Sequence, residues 1–191
     1  SKSSVGEEFN VTMGQSPPGD TYNESGDGIP FFQGRADFGF RFPSNRIYCT
    51  APKRLASKND TLVSVRAPVG DVNMASENCC IGRGVSAVRH ITGSRSFTYY
   101  SMLQLNEHFK VFEADGTVFG SINQKDFNLL PLLRVTPVLV HEFHQQTDAL
   151  DEKIEILENQ IKQLSELRDT LLHNLLSGQL RIPEAEQQVA D

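Results

Sequence analysis

With 191 residues, 38% of them hydrophobic, the chain holds apolar material for one ordinary core and one long separate element. No apolar run approaches the ~18 residues of a spanning helix and no basic-then-apolar leader opens the chain, so neither a membrane anchor nor an exported product is expected. The net charge of −6 argues against nucleic acid only until it is divided: residues 141–191 carry eleven acids and four bases, residues 1–140 thirteen acids and fourteen bases.

Residues 1–10 are polar and expected to fray, and the lack of an initiating methionine reads as a processed or truncated start. Loop chemistry follows in Gly14-Gln15-Ser16-Pro17-Pro18-Gly19-Asp20 and Asn23-Glu24-Ser25-Gly26-Asp27-Gly28, through which no helix can run. Ile29-Pro30-Phe31-Phe32-Gln33 predicts a short strand opening at a proline. Residues 35–66 then hold seven bases (Arg35, Arg41, Arg46, Lys53, Arg54, Lys58 and Arg66) against Asp37 and Asp60, a surface able to meet phosphate or simply a solvated charged face. Phe38, Phe40 and Phe42 are interleaved with the arginines, as base-stacking or as core residues.

Asp60 to Val72 predicts a buried strand, a turn set by Pro68 and Gly70, and a return strand. Cys80 to Arg89 predicts a second unit of that kind around Gly82-Arg83-Gly84, where glycine allows backbones to approach closely. Helical spacing covers Thr98–Phe112, Gly116 to Asn123 is a glycine-bounded turn or strand, and Pro131 and Pro137 form a hinge. The three cysteines, Cys49, Cys79 and Cys80, make neither an even framework nor a C-x-x-C pair, so a reducing, cytoplasmic setting fits. The sequons at Asn10, Asn23 and Asn59 are then chance matches.

From Phe143 to Leu175 apolar residues return at alternating spacings of four and three. Phe143, Leu150, Leu157, Leu164 and Leu171 occupy one heptad position; Thr147, Ile154, Ile161, Arg168 and Leu175 occupy the other. At ~1.5 Å per residue this is a rod of roughly 50 Å, whose narrow seam wants another helix rather than its own domain. Thr136 is placed to cap it, Pro137 to start it, Gly178 to reverse the chain after it and Pro183 to stop it resuming.

Catalysis leaves paired groups, and they are missing. His141 and His144 are three apart, not the four of H-E-x-x-H; there is no G-x-x-x-x-G-K-S/T and no G-x-S-x-G; Ser16-Pro17-Pro18 lacks the aromatic of a base-methylating loop. No metal site and no cofactor of its own are expected.

In order along the chain, Met13-Gly14-Gln15-Ser16-Pro17-Pro18-Gly19, Ile29-Pro30-Phe31-Phe32-Gln33-Gly34, Leu62 to Asp71, Cys80 to Gly84, Phe119 to Asp126 and Leu171 to Leu180 resemble the specificity subunits of type I restriction-modification enzymes. The resemblance covers nearly the whole chain. It implies an α+β fold: a β-rich mixed target recognition domain over 1–133, a conserved spacer helix over 134–180 that pairs as a coiled coil, and a tail over 181–191. It also implies a non-catalytic subunit that reads half of a bipartite DNA target. S-adenosylmethionine, ATP and Mg would be used by the methylation and restriction subunits it recruits. The family carries two such units per chain and this sequence has one, so it is either a natural half-subunit or a cut-out half of a longer protein, and is expected to form a homodimer or to pair with a second specificity half. The family's proline-rich helix entry is altered at Leu132 to Val140, leaving the junction angle open.

Within that frame Arg41, Arg46, Lys53, Arg54 and Lys58 are expected on phosphates, and Gln15, Ser16, Gln33 and Arg35 on base edges, with a loop-shaping role equally open for Gln15, Ser16 and Gln33. Arg66 and Arg83 read as structural pairs. Isoleucine facing leucine along the seam, with Lys153 near Glu158, favours parallel helices; the family implies antiparallel, and Thr147 and Arg168 would face their own copies in a parallel pair. Antiparallel pairing sets two recognition domains ~50 Å apart, about one and a half turns of duplex. Two rivals remain: a β-rich adaptor that dimerises through the coil without binding DNA, and a solitary methyltransferase or nuclease domain.

Overall fold

The computed structural model describes residues 1–113 and 120–179. Leu180 of the last motif, the 181–191 tail and residues 116–119 of the expected Gly116–Asn123 turn lie outside the described residues. The chain divides into two compact units, Ser1–Asp151 and Glu152–Asp191.

The first unit begins with β1 (Lys2–Ser4), α1 (Val5–Glu8) and β2 (Phe9–Met13). The expected fraying of residues 1–10 is therefore corrected: Val5 and Phe9 are buried, and β1 pairs antiparallel with β11 (Pro131–Leu133). Short strands β3 (Tyr22–Asn23), β4 (Ile29–Phe32), β5 (Tyr48–Cys49) and β6 (Leu55–Ala56) follow, then β7 (Thr61–Val65), β8 (Val69–Met74), β9 (Cys79–Ile81) and β10 (Val85–His90). Two further sheets result, in the orders β2-β10-β7-β8 and β3-β5-β4-β9-β6. Among the described residues all strand pairings are antiparallel except β4 with β9.

The four-stranded sheet is covered on both faces, which is why β7 reads as an unbroken buried run. Val63 and Val65 face one core with Phe9, Val88, Met102, Phe109 and Phe127, while Leu62 faces a second with Phe32, Ile81, Val85 and Ala87. The first core is closed by α2 (Arg95–Gln104), α3 (Asn106–Lys110) and α4 (Gln124–Asn128). The Thr98–Phe112 expectation thus resolves into two helices: α2 starts earlier, under Ser94, whose side chain accepts from the Phe97 amide, and the break falls at Leu105.

Pro68 lies in the β7–β8 turn as expected, after a cis Ala67–Pro68 peptide, whereas Gly70, at φ +95°, falls inside β8 rather than in the turn. The second expected hairpin is corrected. β9 and β10 do not pair; β9 joins β4 and β6, and β10 joins β2 and β7, so Gly82-Arg83-Gly84 carries the chain from one sheet to the other. Adjacent side chains on a strand point to opposite faces, so Cys79 lies in the second core and Cys80 in a third with Phe31 and Cys49; all three thiols are free.

Helix α5 runs unbroken over Pro137–Leu176, 40 residues or about 60 Å. Its first turns belong to the first unit. The Phe143 ring stands edge-on to Phe97 and Tyr100 at 6.1 and 6.0 Å. Asp148 accepts from Arg95 Nε at 2.6 Å, and Asp151 from Arg41 Nη1 at 2.6 Å. This corrects the seam at its first heptad, since Phe143 packs on α2 of its own domain, and Thr147 lines a cleft together with Phe97, Tyr100 and Phe143.

In the second unit the helix carries Leu157, Ile161, Leu164, Leu171 and Leu175 exposed in the single chain. It ends as the sequence predicts: Gly178 takes φ +73° and donates to the Leu175 carbonyl at 3.2 Å.

Candidate nucleic-acid interface

A cleft of about 570 Å³ opens where three loops meet: Ser16, the Gln33–Asp37 segment with Arg46, and the turns bearing Arg66-Ala67 and Arg83-Gly84. Close backbone contact builds it. A Cβ on Gly84 would lie 2.3 Å from the Gln33 carbonyl oxygen, and one on Gly14 would lie 2.1 Å from that of Gly82. The amides of Gly14, Gln15 and Gly82 donate to Val85, Ile81 and Phe32 carbonyls at 2.9, 3.0 and 2.8 Å. The Arg83 amide donates to Ser16 Oγ at 3.4 Å, and the Tyr22 hydroxyl to the Pro17 carbonyl at 2.8 Å. Burial above all pushes the Tyr22 phenol above its ordinary value, so it stays protonated and keeps that donor.

Asp37, only 5% exposed, organises the second loop. Its carboxylate accepts from the Gln33 amide at 2.8 Å and the Gly34 amide at 3.4 Å, and pairs with Arg46 Nη2. Arg35 donates through Nε to Asp71 Oδ2 at 2.7 Å, while Asp71 is itself fixed on β8 by its amide bond to Ser64 Oγ at 2.9 Å. Arg66 and Arg83 are exposed and, among the described residues, have no ion-pair partner. Four arginines thus line the cleft, and two of them are paired, Arg35 with Asp71 and Arg46 with Asp37. A concavity lined by four cations favours an anionic ligand.

Of the residues expected to touch DNA, the cleft gathers Ser16, Gln33, Arg35 and Arg46. Gln15 sits beside it, exposed, without lining it. Lys53 and Arg54 are exposed just before β6, and the Arg54 carbonyl accepts from Ile81; Lys58 is exposed in the turn after β6, its amide on Asn78 Oδ1 at 2.9 Å. None of these three lines the cleft.

Arg41 is a correction. It is 6% exposed, held by Asp151, with its guanidinium 4.0 Å from the centre of the Tyr99 ring and Nη2 donating to the Tyr100 hydroxyl at 3.1 Å. Burial pushes its pKa down, but the Tyr100 bond, Tyr99 and Asp151 together leave it raised, so it is a permanent buried cation rather than a phosphate contact. Arg66 and Arg83, read as structural pairs, are the residues the sequence reading missed. The available signal was Arg83 between two glycines that press on neighbouring backbone. Of the three phenylalanines, Phe38 packs on the second core and Phe40 is 79% exposed.

A 178-residue match covers 91% of this chain, is 33% identical, and falls on 41% of the type I restriction enzyme MjaX specificity subunit of Methanocaldococcus jannaschii. The chain matches one half of a type I specificity subunit. The HsdS subunit from Thermoanaerobacter tengcongensis superposes with TM-score 0.67 at 33% identity, over 94% of this chain and 45% of that one. A chain from a type I restriction-modification assembly gives 0.67 at 36% identity, over 89% and 43%. The specificity subunit from M. genitalium, 22% identical with TM-score 0.68, shares the fold. No protein-family model matches the sequence. The chain spans less than half the length of each of these proteins, and its α+β head followed by a long helix is the fold it shares with the solved structures over that part.

Proposed function

We propose that this chain is a specificity half of a type I restriction-modification system: its first unit reads one part of a bipartite duplex DNA target, and its long helix joins it to a second recognition unit. The second unit is another copy of the chain or a related half, paired antiparallel through Leu157, Ile161, Leu164, Leu171 and Leu175. The reading extends to recruitment of methylation and restriction subunits in the cytoplasm, which carry S-adenosylmethionine, ATP and Mg chemistry; the chain itself is non-catalytic. Among the described residues no helix is long and apolar enough to cross a membrane.

The observation that carries this reading is the cleft in which Arg35, Arg46, Arg66 and Arg83 converge. Such an array should bind duplex DNA with an affinity that falls steeply with salt, by about 0.9 in log K per log salt for each phosphate neutralised. Fluorescence anisotropy across a salt series measures it. Binding that is absent at low salt, or that does not respond to salt, would overturn the proposal and favour the adaptor.

A further inference from the structure

We infer that Arg35 reads a guanine in the target half-site, with Asp71 as the positioning residue that aims it; the assignment rests on the DNA-binding reading above. The four arginines of the cleft differ in which nitrogen is already engaged. Arg35 spends Nε on Asp71 and, among the described residues, nothing else, so both terminal nitrogens remain available side by side. That parallel pair is what the N7 and O6 acceptors of guanine require in the major groove. Arg46 has already given Nη2 to Asp37, which breaks its terminal pair. Arg66 and Arg83 have no carboxylate to orient them among the described residues, so they present charge without a fixed fork.

Both ends of the Arg35–Asp71 contact are anchored. Asp71 lies on β8 with its amide on Ser64 Oγ, and Arg35 opens the 3₁₀ turn Arg35–Asp37, closed by the Phe38 amide donating to the Arg35 carbonyl at 2.9 Å. Asp37 ties the start of the same segment through the Gln33 and Gly34 amides. Arg35 is nevertheless 59% exposed, so its fork is held in place and still reaches solvent. A side chain ordered before its ligand arrives loses little freedom on binding.

The test uses the full chain and a random duplex library, with sequencing of the bound fraction and a salt titration on the selected duplex. Arg35→Lys keeps the charge and removes the fork. It should lower a guanine preference at one position by about 10-fold or more while leaving the salt slope unchanged. Asp71→Asn should weaken preference at that same position, and R66K and R83K should leave it intact. R35K retaining every wild-type preference, or losing affinity evenly across all sequences, would overturn the assignment while DNA binding stands. Wild-type chain without salt-dependent duplex binding would overturn the DNA reading and the Arg35 assignment with it.

Discussion

Replacing Asp151 with alanine tests what ties the first turns of the long helix to the head. Arg41 and Asp151 are 110 residues apart in sequence, meet at 2.6 Å, and have side chains only 7% and 2% exposed. Breaking such a pair from one side leaves a buried charge without its counter-charge, which costs roughly 3–5 kcal/mol. Two features place this case at the low end. Arg41 keeps the Tyr99 ring face and the Tyr100 hydroxyl. Deletion also removes Asp151 Oδ2, a buried oxygen without a hydrogen-bond partner among the described residues. About 3 kcal/mol in a chain of this size lowers Tm by roughly 6–12 °C.

Near-ultraviolet circular dichroism is the suitable probe, because the chain has four tyrosines and no tryptophan and two of the tyrosines lie on Arg41. Arg41→Met with Asp151→Leu should recover most of the loss, since an apolar pair of similar volume avoids the desolvation cost. Asp148→Ala, whose carboxylate is 31% exposed against Arg95, should cost distinctly less. If D151A melted within about 2 °C of wild type, or the double substitution lost as much as both single ones together, the buried pair would not be the fastening argued here.

Three further outcomes follow from the same geometry. His90 is buried, edge-on to Phe9 and Phe97, and its Nδ1 accepts from the Thr92 amide; burial depresses its pKa below the ordinary 6.5 although Glu8 pulls upward. The unfolded chain therefore takes the proton first, so stability declines as pH falls below about 6.5 and levels off below the depressed folded value. Urea melts of His90→Gln should show that decline reduced, and profiles parallel to wild type would count against it. The Cys79 thiol is pushed up to about 12 by burial, and Cys49 and Cys80 are equally enclosed, so thiol reagent at pH 8 should label none of the three until denaturant is added. Leu164→Glu on the seam should weaken self-association at least about 100-fold, since a two-fold pair loses two buried leucines and gains two charges, and light scattering at micromolar concentration reads it.

What was legible in the sequence is what local pattern controls. The heptad period marks one long helix, Pro137 and Gly178 mark its ends, and Pro68 marks the turn between β7 and β8. Residues 1–10 were opaque because their order comes from partners over a hundred residues away: Leu132 and Leu133 pair with Ser3 and Lys2, and the Leu130 carbonyl accepts from Val5. The β9–β10 stretch misled for a related reason. Two apolar runs around glycines resemble a hairpin whether they pair with each other or with strands of separate sheets, and only the parallel β4–β9 contact decides. Arg41 looks like any surface arginine until Asp151 and two tyrosines enclose it.

Charge counting alone therefore misjudges where phosphate would be met. Of the seven bases in residues 35–66, Arg41 is consumed inside the fold, and Arg35 and Arg46 are held by carboxylates. Arg83, outside that window and between two glycines, is exposed and lines the cleft. A carboxylate beside an arginine lowers its contribution to the long-range field yet fixes its direction, so Arg35, paired through Nε alone, suits a base edge, whereas Arg66 and Arg83, without a carboxylate partner among the described residues, suit phosphates. On the proposed DNA reading, discrimination and attraction would then fall to different side chains of one cleft. A recognition surface can accordingly sit on an acidic chain, because it needs a few cations in fixed positions rather than a positive total.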